Sequence, residues 1–182
     1  MPIIKELYRY PVKGLSPEAL QIVQVTKGKA MPMDRCIALA HPETEFDPVN
    51  PKHQKKTAYL MLMRNEKLAA LKSVFDGNSS VLQIYQNNQE IVSADLDDPE
   101  EIKDIETFFE HYLKGEVSGK PKVVFADSSD HTFSDVDAKV LSCINLESVK
   151  ALEAATGQTI DPLRFRANIY FMVYLHGKKW IG

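Results

Sequence analysis

The stretch Leu163–Leu175, LRFRANIYFMVYL, decides how the rest of this sequence reads. Its odd positions, Leu163, Phe165, Ala167, Ile169, Phe171, Val173 and Leu175, are all apolar. Its even positions start with Arg164, Arg166 and Asn168 and continue as Tyr170, Met172 and Tyr174, with His176 just beyond. Successive side chains of a strand point to opposite faces, so the alternation predicts one long strand with a greasy face. The other face then carries two guanidiniums and an amide along roughly 13 Å. A guanidinium is a planar fork of donors that fits carboxylate or phosphate, and two side by side repel unless an anion lies between them. A solvated sheet face with ordinary surface charge accounts for the same pattern.

The 182 residues, 44% hydrophobic and 26% charged, are those of a soluble globular chain, one domain or two small ones sharing a core. A net charge of −3 gives no overall field for nucleic acid or an anionic membrane, so any anion site is local. Cys36 and Cys143 sit in apolar strand-like runs without a CxxC pair, which predicts reduced, buried thiols. MPIIKELYRYPVKG lacks the apolar core of a signal peptide, and no apolar run reaches the length of a membrane span. A cytoplasmic protein is expected.

Outward from the opening stretch, strands are expected over Ile3–Val12, Ala19–Thr26 and Arg35–Ala40, before the proline-bearing loop His41–Lys56. Leu68, Leu71 and Phe75 at helical spacing predict a helix over Asn65–Phe75. Val81–Tyr85 and Glu90–Leu96 around Asn87-Asn88 predict a hairpin. Asp98, Pro99 and Glu101 mark the start of a helix whose apolar stripe runs from Ile102 to Leu113 and stops at Gly115. GEVSGKPK is the internal boundary, placing one unit at 1–117 and another at 118–182. Strands at Val123–Ala126 and Lys139–Ile144 follow, then a helix capped by Asn145 and closed by Gly157. Without βα alternation or a Gly-rich phosphate loop, the pattern indicates a strand-rich α+β or β-barrel architecture rather than a doubly wound sheet.

Four places offer polar groups for a ligand: Lys13, Asp34-Arg35, the loop His131–Asp135 with Ser134, and Arg164/Arg166/Asn168. Each has an ordinary reading as well: a turn lysine, a local ion pair, a turn device, surface charge. His131 is read as a solvated loop histidine. Neither a Ser-His-Asp order nor an HExxH, P-loop or EF-hand spacing competes with them.

Taken in order, Tyr10-Pro11-Val12-Lys13, Asp34-Arg35, Phe133-Ser134-Asp135, Ile144-Asn145-Leu146-Glu147-Ser148 with Leu152-Glu153, and Phe165-Arg166-Ala167-Asn168-Ile169 resemble the MOSC superfamily, the molybdenum-cofactor-sulfurase C-terminal domain. The resemblance runs from residue 3 to about residue 170 and includes the family's N-terminal β-barrel domain. It implies a MOSC-type N-terminal barrel followed by an incomplete MOSC barrel, with helices packed on the sheets. It also implies binding of the molybdenum cofactor, molybdopterin, and an oxidoreductase or sulfur-transfer ancestry. Lys13 and Arg35 would then meet the phosphate or pterin, Ser134 and Asp135 the pterin, and Arg166 and Asn168 stand for the Arg and Asn of an FRPN signature. Arg164 would assist from the same face.

The sequence departs from that pattern at Ala167, where the signature has proline, and at Gly14, where relatives often have serine. Trp180-Ile181-Gly182 resembles the Trp-x-Gly that precedes the family's molybdenum-ligating cysteine, and neither Cys36 nor Cys143 takes that place. A truncated or disrupted reading frame is therefore expected, as is a chain that purifies without molybdenum and reduces no N-hydroxylated compound. A non-catalytic anion-binding or interaction module is the alternative. An open barrel edge at Phe171–Trp180 is expected to fray or self-associate.

Overall fold

A computed structural model describes residues 1–126 and 130–173. In chain order the elements are β1 (Ile3–Arg9), β2 (Glu18–Leu20), β3 (Ile37–Ala40), β4 (Leu71–Asp76), β5 (Val81–Gln86) and β6 (Gln89–Asp95). They continue as α1 (Pro99–Tyr112), β7 (Lys122–Phe125), β8 (Cys143–Asn145), α2 (Leu146–Thr156) and β9 (Ile169–Met172). The strands form three sheets, ordered β2-β1-β9-β8, β3-β7 and β4-β5-β6. The architecture is α+β and strand-rich, and none of the sheets closes into a barrel among the described residues. No helix there is long and apolar enough to cross a membrane.

β3 organises the interior because all four of its residues are buried. Ile37 and Leu39 enter a large core with Val12, Leu68, Phe75, Ile84 and Phe109, while Ala38 and Ala40 face a smaller one with Tyr59 and Phe133. A strand buried on both faces reads as a continuous apolar run, as IALA does. Removing the Ile37 side chain to Ala should cost ~2–5 kcal/mol, as for other large-to-small changes in a close-packed core. β1 pairs with β9 and β3 with β7, so both pairings cross residue 117.

The signals at α1 act as their chemistry suggests. The Asp98 side chain accepts the Glu100 N–H at 2.8 Å and Pro99 opens the helix. Glu101 reaches past the cap to accept the Asp95 N–H at 2.8 Å. Ile105 and Phe109 are its buried face. The β5–β6 hairpin turns on Asn87 and Asn88, both at positive φ, which asparagine tolerates better than most residues. Asn145 caps α2 through the Glu147 N–H, and Gly157 ends it at φ 67°.

Several expectations fail here, among them the strand over Ala19–Thr26, where only Glu18–Leu20 forms, and that over Lys139–Ile144, where only Cys143–Asn145 forms. Residues 65–75 form a short 3-10 turn, Glu66–Ala70, and then β4. Leu71 and Phe75 satisfy both a helical period and a period of two, and pairing with β5 selects the strand, burying Leu71, Ser73 and Phe75. The long strand at 163–175 is broken as well. Asp161 accepts the Leu163 N–H and Pro162 starts a 3-10 turn, Pro162–Phe165, which Arg166 closes in left-handed backbone. Only Ile169–Met172 is strand, and there Tyr170 is fully buried while Ile169 and Phe171 are half-buried, the reverse of the expected faces. Cys36 is buried but Cys143 is exposed, because β8 is the edge strand of its sheet. Residues 174–182, including most of Phe171–Trp180 and all of Trp180-Ile181-Gly182, lie outside the described residues.

Candidate anion site

A cavity of about 450 Å³ is lined by Lys13, Arg35, Ser134, Asp135, Arg166 and Asn168, drawn from four separate parts of the chain. Arg164 is not among its walls. It sits exposed on the 3-10 turn, so Arg164, Arg166 and Asn168 do not share a strand face.

Two left-handed turns build the floor. Arg35 (φ 52°) and Arg166 (φ 51°) both adopt a backbone that costs a non-glycine residue energy and that clusters at functional sites. Arg35 donates through Nη1 to Asp34 and through Nη2 to the Arg166 carbonyl at 3.1 Å. Arg166 donates through Nη1 to the Leu15 carbonyl at 2.7 Å, and its Nη2 is buried without a hydrogen-bond partner among the described residues. Burial, then the neighbouring Arg35 charge, lowers Arg166 to about 10, so it stays charged at neutral pH. The Tyr10 ring lies against both guanidiniums, with Arg166 Cζ 4.3 Å and Arg35 Cζ 5.1 Å from its centroid.

Lys13 comes from the turn after β1, where Gly14 takes φ 85°. Serine there would be strained, which gives the glycine a backbone reason. The Lys13 ammonium is buried and donates to the Phe133 carbonyl at 2.8 Å and to Asp135 Oδ1 at 2.5 Å. Burial pulls its pKa down, against the support of Asp135 for the charged form. Burial pushes the Asp135 carboxyl up, but the hydrogen bond and charge of Lys13 outweigh it and hold it below the usual carboxylate range.

The loop carrying Asp135 is fastened to the Arg35 turn. Thr132 Oγ1 donates to the Asp34 carbonyl at 2.9 Å and the Phe133 N–H to the Arg35 carbonyl at 2.8 Å. Ser134 Oγ turns back to the Val136 carbonyl. His131 is buried against Phe46 and Phe133, correcting its reading as a solvated loop histidine, and burial lowers its pKa.

Asn168 is a latch. Its Oδ1 accepts from Ser142 N–H (3.2 Å) and Ser142 Oγ (3.0 Å), and its Nδ2 donates to the Tyr8 carbonyl at 3.2 Å. Both ends of the amide are spent on the protein, which leaves little of it to orient a pterin. The Ala167 N–H, which a proline would lack, donates to Tyr170 Oη at 3.1 Å.

Sequence reasoning missed Tyr10's ring as a wall partner and Lys56 and Lys139 as lining cations. Among the described residues the cavity therefore carries five basic side chains against two carboxylates, Asp34 and Asp135, a surplus of three in a chain of net charge −3. Its lining also includes apolar side chains, of which Met63, Val136, Val140 and Phe165 are exposed. Neither cysteine lines it, and no group of three or more His, Cys, Asp or Glu that could hold a metal occurs among the described residues. No family model, no curated protein and no solved structure matches the chain.

Proposed function

We propose that this cavity binds a phosphate-bearing cofactor with a flat, weakly polar body, and that the chain is a molybdopterin-binding protein of the MOSC type, with the family's paired barrels as its finer architecture. The observation that carries the reading is convergence. Short motifs spread from residue 13 to residue 168 place Lys13, Arg35, Ser134, Asp135, Arg166 and Asn168 around one cavity with a surplus of cations.

The residues fit the organic part of that cofactor. Arg166 Nη2 is a buried donor with no partner among the described residues, and Lys13 has one N–H left after Phe133 and Asp135. Arg35 has its outer nitrogens engaged and acts chiefly through its charge. The thioether and aliphatic side chains of the lining suit a ring system. When bound, the cofactor supplies molybdenum for oxygen-atom, electron or sulfur transfer. The lining residues provide no thiolate to that metal, and this observation favours a second reading, a non-catalytic anion-binding module.

The test is to load the full chain with the molybdenum-bearing cofactor, measure bound pterin by fluorescence after oxidation and bound metal by elemental analysis, and repeat with Arg166→Ala. One pterin per chain, weakened roughly ten- to hundredfold in the variant, is expected from the loss of one charged hydrogen bond. Retained molybdenum selects the enzyme reading and pterin without metal selects the module. Equal binding by the variant overturns both.

A further inference from the structure

Tyr10 is fully buried and tied to both arginine-bearing turns. Its backbone N–H donates to Asp34 Oδ1 at 2.8 Å, one residue before Arg35. Its hydroxyl donates to the Ala167 carbonyl at 3.3 Å, one residue after Arg166. Between these anchors the ring carries both cations, at 4.3 Å from Arg166 Cζ and 5.1 Å from Arg35 Cζ. Two guanidiniums this close repel each other, and among the described residues Asp34 forms an ion pair with Arg35 and not with Arg166. An aromatic face attracts a cation through its quadrupole, most strongly where water is excluded. The ring therefore does for the pair what a second carboxylate would do, and adds no negative charge that would repel an arriving anion.

We propose that Tyr10 is the positioning residue of the anion site, its ring face and two hydrogen bonds gathering Arg35 and Arg166 before any ligand arrives. The inference rests on the anion-binding reading of the cavity. Preorganised donors bind tighter because less ordering remains to be done on association. A Tyr10→Phe chain keeps the ring and loses the Ala167 anchor. Phenylalanines bearing one, two or three fluorines keep the shape and progressively drain the quadrupole, so packing and cation attraction separate.

Inorganic phosphate is the probe, titrated calorimetrically into the full chain with tyrosine, phenylalanine or the fluorinated rings at position 10. Tyr10→Phe is expected to bind within about threefold of the unmodified chain, and the fluorinated series to weaken stepwise to about tenfold. In an Arg166→Ala background, where only the more distant Arg35 remains on the ring, the series should be shallower. The side-chain Nε–H resonances of Arg35 and Arg166 in the ligand-free protein report their place against the ring and need no ligand. A flat series in the unmodified background, or the same loss in the Arg166→Ala background, reduces Tyr10 to packing and overturns the proposal alone. No phosphate binding by the unmodified chain, with the ring-shifted arginine resonances intact, overturns the anion reading and this role with it.

Discussion

Arg35 Nη2 donates to the backbone carbonyl of Arg166 across 3.1 Å, and both arginines hold left-handed backbone. The bond uses the Arg166 main chain, so it survives any substitution at position 166. Arg166→Ala keeps the backbone strain and loses the guanidinium, whereas Arg166→Gly loses the guanidinium and relieves the strain. Urea unfolding should find Arg166→Gly more stable than Arg166→Ala by about 1 kcal/mol, with phosphate binding equally weakened in both. The opposite order of stability would mean that the turn is not left-handed in solution.

Asn168→Ala should act on stability and not on the ligand. The change removes two hydrogen bonds from Ser142 and one to the Tyr8 carbonyl, all part-buried, each worth about 0.5–1.5 kcal/mol. The expected loss is therefore about 2–4 kcal/mol, measured as a shift in urea midpoint, while the folded fraction binds phosphate within about twofold of the unmodified chain. A large loss of affinity with an unchanged midpoint would return Asn168 to ligand contact.

Arg164→Ala is the control. The residue is exposed and lines no wall of the cavity, so unfolding should move by no more than ~0.5 kcal/mol and phosphate affinity should not change.

Lys13 gives a signature in alkali. Its folded pKa is lowered, so between that value and its ordinary one the unfolded chain holds a proton that the folded chain has released, and stability rises with pH. Phosphate affinity should fall over the same window as the ammonium discharges. Buried tyrosines with raised pKa values, Tyr10 and Tyr59 among them, act oppositely, so the quantity to measure is the difference between the unmodified chain and Lys13→Met. That difference in unfolding free energy should slope upward just below the ordinary lysine range. A flat difference would place the amine in water.

On the acid side, Asp135 stabilises above its ordinary carboxylate range and loses that contribution as pH falls through its lowered folded value. Asp135→Asn should remove this part of the acid transition and strengthen phosphate binding at neutral pH, since Lys13 then faces no internal carboxylate. Weaker binding in this variant would count against Lys13 as a phosphate contact.

Local devices were legible wherever a short signal had a short-range cause. Asp98-Pro99, Asn145 and Gly157 mark helix ends by chemistry that needs no distant partner. Asp161-Pro162 is the same device as Asp98-Pro99, yet the period-two alternation of Leu163–Leu175 obscured it. Leu71 and Phe75 fit two periods at once, and only β5 decides between them. Within the cavity, lysine and arginine stand out in a sequence because charge is visible there. The roles of Tyr10 and Asn168 are not, because a ring over two guanidiniums and an amide spent on Ser142 depend on neighbours more than 20 residues away.

The pairing of β1 with β9 sets a timetable for synthesis. β1 is made first, yet the strand that completes one of its sides lies more than 160 residues later. At ~5–20 residues per second, the ribosome leaves that side open for roughly ten to thirty seconds. Ile3 and Ile4, on that side, wait through the interval, as does the Lys13 turn for Phe133 and Asp135. The nascent chain is therefore most exposed to chaperones, and to pairing with other nascent copies, after its larger core can collapse and before its anion cavity exists.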